Sequence, residues 1–156
     1  MNYKLSTFSV MKTYSFLVLV VLSIFLMNCK GTDTPSVQTR TELIKASNWQ
    51  LSRITTTDGQ TVAGNKLNTS TNLIFALDIQ FKENNVVRAS DKVSKQILNA
   101  GTWSFVENDT KVDVNVTGFK GVFGVVELTN NKLVLRNKVP ISGVDTDANM
   151  EFVPSI

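Results

Sequence analysis

The chain has 156 residues, 42% of them hydrophobic, with 16 Lys and Arg against 13 Asp and Glu, one cysteine and no histidine. A single cysteine excludes an internal disulfide. Without histidine there is neither the usual base of serine and cysteine hydrolases nor a zinc site of His or Cys type. Lys4 and Lys12 precede an apolar run, so 14 basic and 13 acidic side chains lie beyond it. A near-neutral balance of this kind gives no electrostatic case for nucleic acid.

Phe16 to Met27 is apolar except for Ser23. A transmembrane helix needs about 20 apolar residues, so this run is too short to span a bilayer. It fits the core of a secretory signal behind a cationic segment, whether translation starts at Met1 or Met11. The cysteine follows at once, and Leu26-Met27-Asn28-Cys29 resembles the lipobox of bacterial lipoproteins, with Asn28 where a smaller residue is usual. The resemblance implies that residues 1–28 are removed, that the Cys29 thiol takes a diacylglycerol and that the new amine is acylated. Several acyl chains anchor stably where one is marginal. The implied location is the bacterial cell envelope, lipid-anchored to the outer membrane, with the bilayer as partner through Cys29. The alternative is a cleaved secretory leader that leaves one unpaired thiol.

Residues 29–40 read as a polar tether containing Pro35. The remaining residues, 41–156, read as one domain. Thr41 to Ser47 has the look of a single helical turn capped by Thr41. From Trp49 the hydrophobic pattern takes period two, the mark of half-buried strands. Eight strands are expected, near 48–57, 73–82, 86–91, 101–106, 111–116, 122–128, 132–137 and 148–153. Three tight turns set register. Glu83-Asn84-Asn85 pairs Phe81 with Val87 and Ile79 with Ala89. Glu107 to Thr110 pairs Phe105 with Val112 and Trp103 with Val114. Asn130-Asn131 pairs Leu128 with Leu133 and Val126 with Leu135. Each brings apolar residues opposite each other, and a slip of one residue would break the match.

The other connections, 58–72, 92–100, 117–121 and 138–147, are longer. Long and short alternate, so an up-and-down meander gathers the long loops at one end. Eight strands would close into a barrel and remove exposed edges. The tether enters at the tight-turn end, so the long loops are expected to point away from the membrane. The expected fold is therefore all-β, an eight-stranded antiparallel up-and-down barrel after a signal peptide and a short tether.

With Leu43, Trp49-Gln50-Leu51, Gly101-Thr102-Trp103, Glu127-Leu128-Thr129 and Leu133-Val134-Leu135, the chain resembles the lipocalin-like lipoproteins of Bacteroidota. Ser47 stands where lipocalins proper carry a glycine, so the likeness is one of architecture. It implies a binding or structural role without catalysis and without a cofactor. The bulky inward list of Trp49, Phe75, Phe81, Trp103, Phe105, Met150 and Phe152 points to a mostly filled interior. A shallow apolar pocket at the long-loop end is the default ligand site. The alternative is a filled-core module that serves a protein partner in the envelope.

Three other features read as surface. Asp145, Asp147 and Asn149 mimic the start of a calcium loop, but Met150 stands where the turn glycine belongs. Asp78 and Glu127 fall on the polar face, a solubility role. Phe123, Val125 and Val134 fall outward in the expected register.

Overall fold

The computed structural model describes residues 38–155. Cys29 and the apolar run before it lie outside the described residues. Helix α1 (Arg40–Lys45) comes first, then β1 (Asn48–Thr56). After a 3₁₀ turn (Gly64–Lys66) and α2 (Thr69–Ile74) follow β2 (Leu77–Phe81), β3 (Val86–Asp91), β4 (Ile97–Val106) and β5 (Lys111–Val116). The chain closes with β6 (Phe119–Leu128), β7 (Leu133–Ile141) and β8 (Val144–Pro154). Each strand pairs antiparallel with the next, and β8 returns to β1, so the sheet is a closed barrel in sequence order. Closure leaves neither end strand with an unpaired outer edge.

Helix α1 forms because its ends are satisfied locally. Thr39, rather than Thr41, is the cap: its hydroxyl accepts from the Glu42 amide, and the Glu42 carboxylate accepts from the Thr39 amide at 2.7 Å. This reciprocal box satisfies two otherwise orphaned donors. The helix touches both β2 and β6. Ile44 is its buried residue. The indole N–H of Trp49 donates to the Ile44 carbonyl at 2.7 Å, so β1 is tied to this cover at its first turn inward.

The three expected hairpins form. Phe81 faces Val87 and Ile79 faces Ala89. Phe105 faces Val112 and Trp103 faces Val114. Leu128 faces Leu133, but the partner of Leu135 is Val125, because the ladder shifts between Val125 and Glu127. The extra residue is Val126, which is left exposed on the outer wall. A bulge of this kind inverts the facing of every residue beyond it. Phe123 is therefore a core residue and Val125 packs against the core, contrary to the outward expectation for both. Val134 is buried yet stands apart from the core cluster.

Several boundaries also differ from expectation. Residues 73 and 74 belong to α2, not to a strand. Asn68 caps that helix through Thr71, and Leu73 faces solvent while Ile74 packs inward. The connections 117–121 and 138–147 are two-residue turns, Thr117-Gly118 and Ser142-Gly143. The backbone is left-handed at Gly118 (φ 87°), Ser142 (φ 52°) and Gly143 (φ 82°). The paired left-handed residues at Ser142-Gly143 suit the right-handed twist of a two-residue hairpin. The connection after β3 is also short, since β4 begins at Ile97 rather than at 101. One long connection remains, residues 57–76.

Gly101 explains why β4 and β5 approach so closely. A Cβ there would stand 1.8 Å from the Asn115 carbonyl oxygen, so only glycine fits. The barrel interior is packed by Trp49, Phe81, Trp103 and Phe152, all nearly or fully buried, as the inward list implied. Phe75 and Phe105 are only partly buried, at the margins of that core.

Candidate functional site

The long connection 57–76 is held onto the barrel at several points. Thr61 bridges Thr55, and the Val62 amide donates to Ile54 at 2.8 Å, which lays the first part along β1. Leu67 then bridges Ile141, and Ser142 donates to the Lys66 carbonyl at 2.7 Å, which fastens the middle to the β7–β8 hairpin. Asn72 returns two bonds to the same connection, at Gly64 and Leu67. The strap ends in α2 at the margin of a pocket.

That pocket measures about 160 Å³. Thr71 and Ile74 of α2 form one side. Phe119, Phe123, Val139 and Met150 form the apolar floor, all buried in the core cluster. Phe119 stacks on Phe123 with centroids 4.7 Å apart, and meets Phe152 edge-on at 5.8 Å. These ring contacts fix the floor, since offset and edge-on pairs add stability beyond area burial. Exposed Lys120 and Lys138 and half-buried Asn137 border the opening. The sequence missed this floor because the bulge at Val126 brings Phe123 inward.

A second cavity, about 230 Å³, lies at the opposite end between α1 and the β2–β3 turn. Trp103 and Phe105 reach its wall, but most of its lining is polar or charged. The Lys45–Glu83 ion pair, 2.7 Å, belongs to the same wall. This groove has no apolar floor comparable to Phe119 and Phe123.

The acidic residues singled out in the sequence do not converge. Asp145 and Asp147 stand on β8 opposite Pro140 and Lys138, in a strand rather than a loop. Among the described residues no group of three or more His, Cys, Asp and Glu could hold a metal ion. Glu127 is ion-paired with Lys132 at 2.9 Å. Asp78 departs from its expected solubility role, because it is buried. Its Oδ2 accepts from Lys95 Nζ and from Ser155 Oγ, each at 2.9 Å. Its cross-strand neighbour Gln50 has an unpartnered amide nitrogen, and Asp78 Oδ1 has no partner either.

A closed up-and-down β-barrel with a pocket beside a fastened strap defines a class of small antiparallel calyces. The family model for the lipocalin-like domain matches residues 46–135, and the chain belongs to that family. A lipocalin-like protein from Bacteroides uniformis is similar at 14% identity and a TM-score of 0.47, over 71% of this chain and 98% of its own. A DUF4847 family protein from Bacteroides vulgatus is similar at 14% identity and a TM-score of 0.47, over 74% and 96% respectively. Among curated proteins there is no match.

Proposed function

We propose that this is a lipid-anchored lipoprotein of the bacterial cell envelope whose barrel carries a small apolar ligand and does no chemistry. The observation behind the ligand is the pocket over Phe119 and Phe123, an apolar floor bordered by a few polar groups. Pockets of that composition are the usual small-molecule sites. The support for the anchor is the apolar run ending at Cys29 in the sequence. In this reading the tether enters at the α1 end, and the pocket end faces away from the bilayer.

A second reading is a structural or protein-interaction module. The packing of Trp49, Phe81, Trp103 and Phe152 along the barrel centre favours it, since little interior volume is left. Native mass spectrometry of the protein purified from its own cells, with solvent extraction of the same sample, separates the two. A stoichiometric apolar companion supports the carrier. A bare polypeptide mass, plus the expected acyl groups, moves the assignment to the interaction module. Replacing Cys29 by alanine should release the protein from the membrane fraction. Retention of the Cys29→Ala protein in membranes would remove the anchor from the proposal.

A further inference from the structure

The pocket is also a gap in the barrel wall. The β6–β7 ladder runs from Leu128 opposite Leu133 to Gly124 opposite Arg136, and no pairing between the two strands continues past it among the described residues. Yet β6 stays paired with β5 as far as Phe119, and β7 with β8 as far as Ile141. The upper halves of β6 and β7 therefore splay from each other while each keeps its other neighbour. The residues explain the separation. Pro140 has no N–H to give to a ladder. Gly121 has a φ of 148°, outside the range of a regular strand. The Lys138 amide donates instead to the Asn137 side-chain oxygen at 2.8 Å. Asn137 Nδ2 lies 3.1 Å from where a Gly121 Cβ would be, so this amide packs across the gap.

The two faces of the gap differ in chemistry. By strand alternation Phe119, Phe123 and Val139 point into the barrel, and their burial agrees. Lys120 and Lys138 alternate with them, on β6 and β7, and point outward and exposed. No ion pair holds either lysine among the described residues. Two exposed lysines thus border the aromatic-floored slot. Asn137 Nδ2 adds a donor at the same level.

We infer that this lateral slit takes a compact monocyclic organic acid, its ring on Phe119 and Phe123 and its carboxylate between Lys120 and Lys138. The inference rests on the carrier reading and narrows its ligand class. Size sets the ring: an apolar cavity near 150 Å³ accommodates a benzene-sized molecule, and this one is about 160 Å³. A long acyl chain or a polycyclic ligand would protrude through the opening rather than sit within it. Charge sets the head group, because charge-assisted hydrogen bonds are stronger than neutral ones. The ligand enters sideways between β6 and β7, so the bonds that fasten the 57–76 strap need not open.

The test uses the full chain in phosphatidylcholine nanodiscs, with empty nanodiscs as the control for partitioning. The probes are 4-fluorobenzoate and 4-fluorobenzyl alcohol, read by fluorine NMR and by backbone amide shifts of residues 118–123 and 137–140. The acid is expected to bind about tenfold more tightly than the alcohol. In the Lys120→Gln, Lys138→Gln double variant the preference for the acid over the alcohol should vanish. Both side chains are exposed, so folding is not at stake. Equal affinity of the two probes in the wild type, or a preference that survives the double substitution, overturns the acid assignment and leaves the carrier reading standing. Failure of both probes to shift these amides overturns the slit as the site of such a ligand, and the carrier reading then stands or falls on the mass-spectrometric search for an apolar companion.

Discussion

Trp49 and Ile44 are joined by one buried hydrogen bond, indole N–H to carbonyl at 2.7 Å, and both side chains are fully buried. Five residues apart in sequence, they convert a single turn of helix into a plug at the barrel end. Replacing Trp49 by phenylalanine keeps an aromatic ring but leaves the Ile44 carbonyl without this donor. The expected loss is about 1–3 kcal/mol, the desolvation penalty of an unmade buried bond, with some packing loss added. Urea unfolding should show a lower midpoint, and an unchanged midpoint would show that the indole bond contributes little.

Gly101 and Gly124 make a matched pair of tests. A Cβ at Gly101 would collide with the Asn115 carbonyl oxygen at 1.8 Å, whereas at Gly124 nothing comes nearer than 3.8 Å. Gly101→Ala therefore forces β4 away from β5 and should cost about 3 kcal/mol or more. Gly124→Ala should stay within about 1 kcal/mol of the wild type. Similar thermal unfolding of the two variants would contradict the close approach of β4 and β5.

Asp78 joins distant parts of the chain through one buried carboxylate. Lys95 comes from the β3–β4 connection and Ser155 follows β8. Lys95 is half exposed, with a side-chain exposure of 53% against 1% for Asp78, so solvent screens the pair on one side. Asp78→Ala should weaken both attachments and destabilise by about 1–3 kcal/mol. Amide exchange should quicken at residues 93–96 and at Ser155 together. Faster exchange in only one of these segments would mean that the two are held independently.

Asp91 gives the clearest pH dependence. Its Oδ1 accepts from the Ser94 amide at 2.7 Å, the Ser94 hydroxyl at 2.9 Å and the Val93 amide at 3.0 Å. The Ser94 amide bond, then its hydroxyl, then the Val93 amide hold the Asp91 carboxyl below its ordinary value. Glu42 is lowered in the same way, first by its bond to the Thr39 amide and then by that to the Thr39 hydroxyl. Both carboxyls ionise more readily folded than unfolded. Their contribution is thus complete above the unfolded values of about 4 and is lost as pH falls through the lower folded values. Carboxyl-carbon NMR titration should place the Asp91 midpoint below the ordinary aspartate value of about 3.9. An Asp91 midpoint at or above that ordinary value would contradict the turn geometry.

The registers of the β2–β3 and β4–β5 hairpins were legible because each depends on a short stretch: a turn of fixed length and apolar residues at alternate positions on both sides. Phe81 with Val87, and Trp103 with Val114, need nothing from the rest of the chain. The floor of the pocket was not legible. Phe123 faces inward only because Val126 bulges, and a bulge leaves no mark on alternation until the partner strand is known. Likewise Leu73 and Ile74 alternate as a strand would, but Asn68 caps a helix over them.

By itself, then, the sequence determined an all-β meander, two of its tight registers and the start of the third, its packed aromatic interior and the family resemblance, because local alternation and turn chemistry carry them. Tertiary structure decided the rest. Whether Asp78 is solvated or buried, whether Gly101 is replaceable, and where β6 parts from β7 depend on atoms that meet only after the barrel closes. Closure brings together residues far apart in the chain, as Thr71 and Ile74 with Phe119, Val139 and Met150, and no periodicity within one strand records such a meeting.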